Sequence, residues 1–381
     1  MYSRGFNPPV TTRFWRDRVL PHSIIPLFWL YWVALTPARI LGAAARRRNR
    51  ERTPVVAIES GVIGWTHVYF EELFGSAGDY FGQANLRKQA INRDLPYFPQ
   101  FRAHQERDAP TVVVLDVRTP GQSWPHSLRE SFRVAWYLTR LGITPLVVLT
   151  DAFYRRHRWQ SAVITAFHGG VVTFAQQNVI SGIFPHSRIR GPLFMPISRT
   201  RLNQLREHKM HFNETRSPQS PLVIQFIGSM YPPREQFLQV VQRQLADVGI
   251  HLTINGDKAG TSNDDYWRVL VESDIIVTTT LQGPPRNFMD WIWVRQAVFR
   301  YAETMAAGTA LVAQCVEGGF PFFLDGRDYL EFEGVDQAVT AISALANDPE
   351  LRTRLAAQGH ATESEYVEKS QFWLELQEFL R

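Results

Sequence analysis

The chain has 381 residues, of which 45% are hydrophobic and 20% charged, a composition that favours a folded protein of two domains over a disordered one. Its one cysteine excludes a disulfide framework and a cysteine-based zinc site, and favours a reducing compartment. The net charge is +5, but residues 1–52 alone carry +8, with ten arginines against two acidic residues, which leaves −3 for residues 53–381. A nucleic-acid partner is therefore not expected, because the body lacks the clustered basic residues of a binding groove.

Residues 1–52 form a leader that we expect to associate with a membrane. Its uncharged apolar run, from Ser23 to Ala38, is short for a membrane span and contains two prolines. Aromatic residues beside arginines are typical of a segment at the lipid headgroup level. The larger arginine excess after the run predicts a body on the cytoplasmic side, held peripherally or monotopically. The alternative is an N-terminal helix packed on the body.

Residues 53–207 are predicted to form an N-terminal, acceptor-side domain like a Rossmann domain. Four β-branched apolar runs read as parallel strands buried on both faces. Two helical patterns lie between them, and the alternation is typical of a doubly wound α/β domain. The predicted strands are 54–60, 111–117, 144–150 and 162–167, and the predicted helices are 66–77 and 127–142.

A polar stretch with two prolines, residues 208–221, is predicted to be a linker. The alternation then restarts in a second domain, residues 222–360, and a C-terminal helix, residues 361–381, is predicted to cross back. The fold class is therefore α/β, with two doubly wound domains that face a cleft. The predicted strands of the second domain are 222–229, 251–256, 274–280 and 309–314, and its predicted helices are 234–249, 263–273, 293–308 and 335–348.

Two junctions in the second domain have side chains suited to bind a ligand. In "IQFIGSMYPPREQF" a strand ends at Ile227, Gly228 and Ser229 permit close backbone approach, and Arg234 can meet a diphosphate. In "RYAETMAAGTALVAQ" a helix ends at Gly308 before a strand, and Glu303 can accept hydrogen bonds from vicinal hydroxyls. The alternatives are a plain turn with a solvated arginine and a surface glutamate.

Five segments give these junctions a family context: "FIGSMYPPREQF", "NDDYWRVLVESDIIVTTT", "RYAETMAAGTALVAQ", "FFLDGRDYLEFEGVDQAVTAISALANDPELRTRLAAQGHA" and a terminal "FW". In order and spacing over residues 222–373 they resemble the donor domain of glycosyltransferases with the GT-B fold. The match is closest to the glycosyl transferases group 1 type and its spore-maturation-protein-like branch. The N-terminal half resembles the family only in its strand rhythm and in the segment "GPLFMPIS".

The resemblance implies an enzyme of the hexosyltransferase type that builds a polysaccharide or glycolipid. It would transfer a sugar from a nucleoside diphosphate sugar to a glycan or lipid-linked acceptor, with no cofactor and no metal. The sequence agrees on the metal in one respect, since it contains no Asp-x-Asp motif. Carried over to this chain, Glu303 would hold the donor ribose, Gly228, Ser229 and Arg234 would line the diphosphate, and Gly308 and Thr309 would shape the adjacent turn.

Two features bear on the reaction outcome. Retaining members of the family carry a Glu-x7-Glu pattern ending at the equivalent of Glu303, and its first glutamate falls here on Arg295. The loop "QGPPRNFMDW" offers Arg286 and Asn287 instead, as ligands for phosphate or for sugar hydroxyls. This substitution also leaves open a catalytically degenerate scaffold, and a sugar-nucleotide epimerase or phosphorylase is a further alternative.

On the acceptor side, "AFHGGVVTF" places a histidine, His168, after a predicted strand and beside two glycines. A histidine at that edge can act as a base or orient the acceptor hydroxyl. The alternative is a structural histidine at a strand end. A retaining reaction needs no such base, because the departing phosphate can take the acceptor proton.

Overall fold

The computed structural model describes residues 33–34, 36–47, 55–59, 66–89, 111–115, 124–150, 155–165, 168–174, 189–217, 219–230, 232–256, 263–280, 295–316 and 319–380. Its first helix, α1, covers residues 36–47. Among the helices in these ranges, none combines the length and the apolar character that crossing a membrane requires.

The N-terminal domain is built on a six-stranded parallel sheet in the order β2-β1-β3-β4-β5-β6. Strands β3, β4 and β5 are buried almost throughout, as expected for apolar strands covered on both faces. The strands are β1 Val56–Glu59, β2 Leu86–Gln89, β3 Val112–Leu115, β4 Thr144–Leu149, β5 Gly170–Thr173 and β6 Ile189–Arg190, and the helices are α2 Thr66–Phe81, α3 Trp124–Leu141 and α4 Arg155–Ile164.

The predicted strand at 162–167 is wrong, because its first residues end helix α4 and the strand β5 begins only at Gly170. A short apolar run does not by itself distinguish a buried helix from a strand. The connection decides the matter here: β4 and β5 are parallel neighbours, and parallel neighbours need a crossover, usually a helix. Helix α4 is that crossover.

The second domain holds a five-stranded parallel sheet in the order β11-β10-β9-β7-β8. With both sheets parallel and connected by helices, the predicted fold class is confirmed. The strands are β7 Ile224–Ile227, β8 Leu252–Asn255, β9 Ile275–Thr278, β10 Ala310–Gln314 and β11 Leu330–Phe332, and the helices are α5 Arg199–Thr215, α6 Pro232–Asp247, α7 Asn263–Glu272, α8 Arg300–Ala306, α9 Val335–Asn347, α10 Pro349–Glu368 and α11 Gln371–Leu380.

Helix α5 leads from the first sheet to the second. It begins with a serine cap, since the Ser198 hydroxyl accepts a hydrogen bond from the Arg201 backbone N–H. The helix continues to Thr215, so the stretch predicted as a linker, residues 208–221, begins inside it. Helix α8 is shorter than the predicted 293–308 and covers seven residues from Arg300.

The last two helices connect the two domains. The fully buried Trp373 of α11 donates a hydrogen bond from Nε1 to Ser76 Oγ of α2 (3.1 Å). Tyr366 of α10 donates to the Phe194 carbonyl (3.3 Å). One cluster of buried apolar side chains runs from Leu73 of the first domain to Leu311 of the second. The two sheets therefore share a continuous core.

Candidate functional site

The strand order places a switch point at the carboxyl ends of β7 and β9. From β7 the chain continues to β8 on one side and then crosses to β9 on the other. In open α/β sheets, ligands bind in the crevice outside the carboxyl ends of strands at such a reversal. Gly228 and Ser229 follow β7 directly, and Thr279 follows β9. Two of the predicted site residues therefore lie at the position where this fold binds ligands.

Arg234 fixes the shape of this edge. Its guanidinium is buried and donates from Nη1 to the Ser229 carbonyl (2.6 Å) and from Nη2 to the Thr279 carbonyl (3.3 Å). It also lies over the ring of Phe226, 5.8 Å from the ring centroid. Arg234 therefore ties the ends of β7 and β9 together. The structure puts this arginine next to the predicted diphosphate loop, with two of its donors directed to the backbone.

Arg300, at the first position of α8, supplies a second guanidinium that the sequence did not single out as a site residue. Its Nε donates to Thr278 Oγ1 (3.2 Å), and its guanidinium lies 5.5 Å from the centroid of the Phe226 ring. A Cβ atom on Gly228 would be 1.9 Å from Arg300 Nη1. Gly228 also has φ +138°, a conformation that favours glycine. The glycine therefore makes room for the arginine at the end of β7.

Glu303 is buried one helical turn beyond Arg300, and its Oε2 accepts a hydrogen bond from the Tyr266 hydroxyl of α7. Burial raises the pKa of this carboxyl to about 8, because a low-dielectric environment disfavours the charged form. The Tyr266 hydrogen bond and the charge of Arg300 oppose the rise. A carboxyl whose pKa is about 8 is mostly protonated at neutral pH, and it can ionise when it gains hydrogen-bond donors. Such a group suits the recognition of hydroxyl groups.

The N-terminal domain places charges near the same carboxyl. Glu72 of α2 raises the Glu303 pKa and Arg201 of α5 lowers it. These two residues form an ion pair (3.1 Å), and the Arg201 guanidinium lies 4.7 Å from the centroid of the Trp267 ring on α7. Glu72 also accepts from the Ser198 backbone N–H and hydroxyl. The environment of Glu303 is therefore built from both domains.

Arg295, which stands where the family pattern has its first glutamate, lies near the carboxyl end of β11. Arg295 forms an ion pair with Glu333 (3.6 Å), just beyond the end of β11. The neighbouring Glu331 accepts a hydrogen bond from the Tyr329 hydroxyl (2.5 Å). Burial, followed by the charge of Glu331, raises the pKa of Cys315 to about 12. Cys315 is therefore a neutral thiol at physiological pH.

Gly308 and Thr309 do not lie beside the diphosphate edge, contrary to the prediction for these two residues. Both precede β10 and so lie at its amino end, whereas Gly228 follows the carboxyl end of β7, a strand parallel to β9 and β10. At about 3.3 Å per residue, the five residues of β10 separate the two edges by roughly 16 Å. A turn before a parallel strand lies at the edge opposite the ligand site.

At that opposite edge, Lys209 of α5 takes part in an interdomain contact. Its Nζ donates to the carbonyls of Val271 and Ser273 (2.8 Å each) and to Thr309 Oγ1 (3.2 Å). Thr309 Oγ1 in turn donates to the Leu270 carbonyl (2.7 Å). Burial lowers the pKa of Lys209 to about 8. Thr309 and Lys209 therefore join α5 to the second sheet and have a structural role here.

His168 lies at the amino edge of the first sheet. The prediction placed it after a strand, but it follows α4 and precedes β5. Its Nε2 is hydrogen-bonded to the carbonyl of Ile143 (2.8 Å), the residue before β4. The structure therefore does not bring His168 together with Gly228, Arg300 and Glu303.

Arg286 and Asn287 lie outside the described residues, as do the segments that follow β1 and β3 at the switch point of the first sheet. Within the described ranges, no group of three or more His, Cys, Asp or Glu side chains is placed to hold a metal ion. Metal independence stays a prediction.

The switch point, the two guanidinium groups beside Phe226 and the buried Glu303 lie together at one edge of the second sheet, where open α/β sheets bind ligands. Residues 234–373 match the family model described as "Glycosyl transferase-like". The match covers the C-terminal domain and confirms, over these residues, the resemblance to glycosyltransferases found in the sequence motifs.

Several solved structures have a similar fold. HepE from Anabaena, solved in complex with UDP, is 12% identical with a TM-score of 0.47, over 85% of this chain and all of that one. Sucrose-phosphate synthase from Thermosynechococcus elongatus is 13% identical with a TM-score of 0.48, over 86% of this chain and 99% of that one. A glycosyltransferase from Rickettsia africae is 8% identical with a TM-score of 0.46, over 87% and 100% of the two chains. No curated protein matches the chain.

Proposed function

We propose that the protein transfers a sugar from a nucleoside diphosphate sugar to a glycan or a lipid-linked acceptor on the cytoplasmic side of a membrane. The arrangement of Gly228, Arg300 and Glu303 at the switch point of the second sheet is the observation that carries this proposal. In it, Arg300 meets the diphosphate, and Glu303 accepts hydrogen bonds from the ribose hydroxyls.

The charge that develops on the departing diphosphate explains why Arg300 is needed at this edge of the sheet. When the sugar–phosphate bond breaks, negative charge develops on the diphosphate, and a preorganised guanidinium stabilises it more in the transition state than in the ground state. Arg300 is held by Thr278 and by the Phe226 ring, so it needs little reorganisation. Arg234, tied to the Ser229 and Thr279 carbonyls, keeps the backbone around the diphosphate rigid.

The reaction proposed is metal-independent and retains the configuration of the sugar. In such a reaction the acceptor proton passes to the departing phosphate on the same face, so the enzyme contributes positioning and leaving-group stabilisation. His168 is hydrogen-bonded to the Ile143 carbonyl at the amino edge of the first sheet. For that reason the proposed mechanism gives it no role as a base.

Donor binding tests the proposal. The protein is mixed with UDP, ADP, GDP and CDP in the presence of EDTA, and the unfolding temperature is measured for each. We expect one nucleotide to raise it, because a ligand that binds only the folded state stabilises it. Arg300→Ala should abolish the rise, whereas Arg268→Ala, which removes an exposed arginine of α7, should not. Equal stabilisation of the Arg300→Ala variant would refute the site.

A second candidate is a domain that binds the donor without turning it over. The observation in its favour is the ion pair between Arg295 and Glu333, at the position where retaining relatives carry a glutamate. Incubation of the purified protein with nucleotide sugars separates the two candidates. Release of nucleoside diphosphate excludes the binding-only protein, and tight binding without release supports it.

A further inference from the structure

Helix α1 packs on the N-terminal domain through its smallest residues. Ala38 is fully buried, and Gly42 lies so close to α3 that a Cβ atom on it would be 1.9 Å from the Thr139 carbonyl oxygen. Ala45, three residues further along, approaches Gly142. Residues spaced by four and then three positions share one face of a helix. The face made of Ala38, Gly42 and Ala45 therefore holds α1 against α3.

The large apolar residues of the same segment point away from the body. Val33 is 67% exposed, Ile40 is 69% exposed and Leu41 is 60% exposed. At 100° per residue, Val33 and Ile40 lie within about 20° of each other around a helix axis, and Leu41 lies about 100° from Ile40, at the border of this exposed face. This is the reverse of an ordinary amphipathic helix, which turns its large apolar residues toward the core.

Arginines flank this exposed apolar face. Arg39 and Arg47 are exposed on α1. Arg46 donates from Nη1 to the Thr139 carbonyl (3.1 Å) and from Nη2 to the Arg39 carbonyl (2.7 Å), so it fastens the helix at the same place. The sequence adds further positive charge, since residues 1–52 carry a net charge of +8. A partner that covers this face must accept both apolar and cationic groups.

We propose that the exposed surface formed by Val33 and by Ile40 and Leu41 of α1, with Arg39 and Arg47 beside it, binds the surface of a membrane containing anionic lipid. The apolar side chains enter the boundary between headgroups and acyl chains, and the arginines meet lipid phosphates. Because α1 is fixed to α3, binding holds the N-terminal domain against the lipid surface in a defined orientation. Contact of this face with lipid does not depend on sugar transfer.

Vesicle flotation of the full-length protein tests the proposal. Vesicles of phosphatidylcholine mixed with phosphatidylglycerol are compared with vesicles of phosphatidylcholine alone. The double variant Ile40→Ser/Leu41→Ser should bind the anionic vesicles at least about tenfold more weakly than the original chain. Met210→Ser/Val248→Ser, which removes two other exposed apolar side chains, is the matched control and should bind as the original does.

Charge is tested in the same way. Arg39→Gln and Arg47→Gln should each weaken binding to the anionic vesicles by about fivefold and leave binding to phosphatidylcholine vesicles unchanged. Arg268→Gln, an exposed arginine on α7, is the control.

Unchanged flotation of Ile40→Ser/Leu41→Ser would overturn the proposal, as would an equal loss in the Met210→Ser/Val248→Ser control. If the exposed face instead joins two copies of the chain, sedimentation without lipid will show a dimer that Ile40→Ser/Leu41→Ser dissociates, and flotation will not change. Nucleotide stabilisation measured on the same variants separates this result from the proposed function, since α1 is not part of the donor site and the stabilisation should persist.

Discussion

The buried carboxyl of Glu303 makes donor binding depend on pH. Burial raises its pKa to about 8, so in the unoccupied protein the carboxyl keeps its proton below that pH. Ribose hydroxyls that donate to Glu303 favour the ionised form, and donor binding must then release the proton. The affinity for the nucleotide should therefore fall as the pH is lowered through about 8.

The size of the effect follows from the ionised fraction. With a pKa of about 8, about one carboxyl in eleven is ionised at pH 7 and about ten in eleven at pH 9. Since the apparent Kd scales inversely with the competent fraction, it should be about tenfold weaker at pH 7 than at pH 9. Both pH values lie above the pKa near 6 of a terminal phosphate, so the ligand contributes little.

Isothermal titration calorimetry of the best nucleotide at pH 7, 8 and 9 measures this dependence. Titrations in two buffers of different ionisation enthalpy count the released proton. Glu303→Gln keeps the size of the side chain without its charge, and its Kd should not vary over this range. A Kd of the original protein that is constant with pH, or an equal slope in Glu303→Gln, would refute the assignment of Glu303 as the group that accepts the hydroxyls.

Other substitutions test the site and its frame. Gly228→Ala should abolish the rise in unfolding temperature caused by the nucleotide, because its Cβ would lie 1.9 Å from Arg300 Nη1. The same rise as in the original protein would show that this guanidinium is not fixed there. Trp373→Ala should lower the free energy of urea unfolding by about 3–5 kcal/mol. Leu374→Ala, at the partly exposed neighbouring residue, should lower it much less. Similar losses of stability in the two variants would contradict the packing of α11 on the first domain. The lowered pKa of Lys209, about 8, means that the folded state disfavours its charged form. Stability should rise by up to about 1.4 kcal/mol per pH unit from pH 8 toward pH 10, and Lys209→Met should lack this rise.

The parallel strands could be predicted where the sequence has continuous apolar runs, as at Val112–Leu115 and Ile275–Thr278. These runs are diagnostic because both faces of the strand are covered. The run at 162–167 was wrongly predicted to be a strand because a helix that is buried on nearly all sides has the same apolar composition. Only the parallel pairing of β4 with β5 shows that a helix must lie there.

The candidate site could be predicted in part. Gly228, Ser229 and Glu303 could be proposed from the sequence because each lies at a local junction between a helix and a strand, and the structure places them at one edge of the second sheet. Arg300 was missed as a site residue although it stands one helical turn before Glu303, a spacing that puts both on one helix face. Tyr266 was missed because its contact with Glu303 joins two helices, and a contact between separate elements leaves no local pattern.

The placement of Gly308 and Thr309 was wrong for a topological reason. The helix–glycine–strand junction was correct, with α8 ending at Ala306 and β10 beginning at Ala310. A residue before a parallel strand, however, lies at the amino edge of the sheet, and ligands bind at the carboxyl edge. His168 follows the same rule, since it precedes β5.

Release of nucleoside diphosphate from a nucleotide sugar is the most direct measurement of sugar transfer. The purified full-length protein is incubated with UDP-, GDP- and ADP-sugars in the presence of EDTA, with and without lipid extract as a source of acceptor, and free diphosphate is quantified. Under the proposed function, we expect release from one donor, more with acceptor than without, lost in Arg300→Ala and kept in Arg268→Ala. Release that persists in Arg300→Ala, or no release from any donor under conditions where the nucleotide binds, would contradict it.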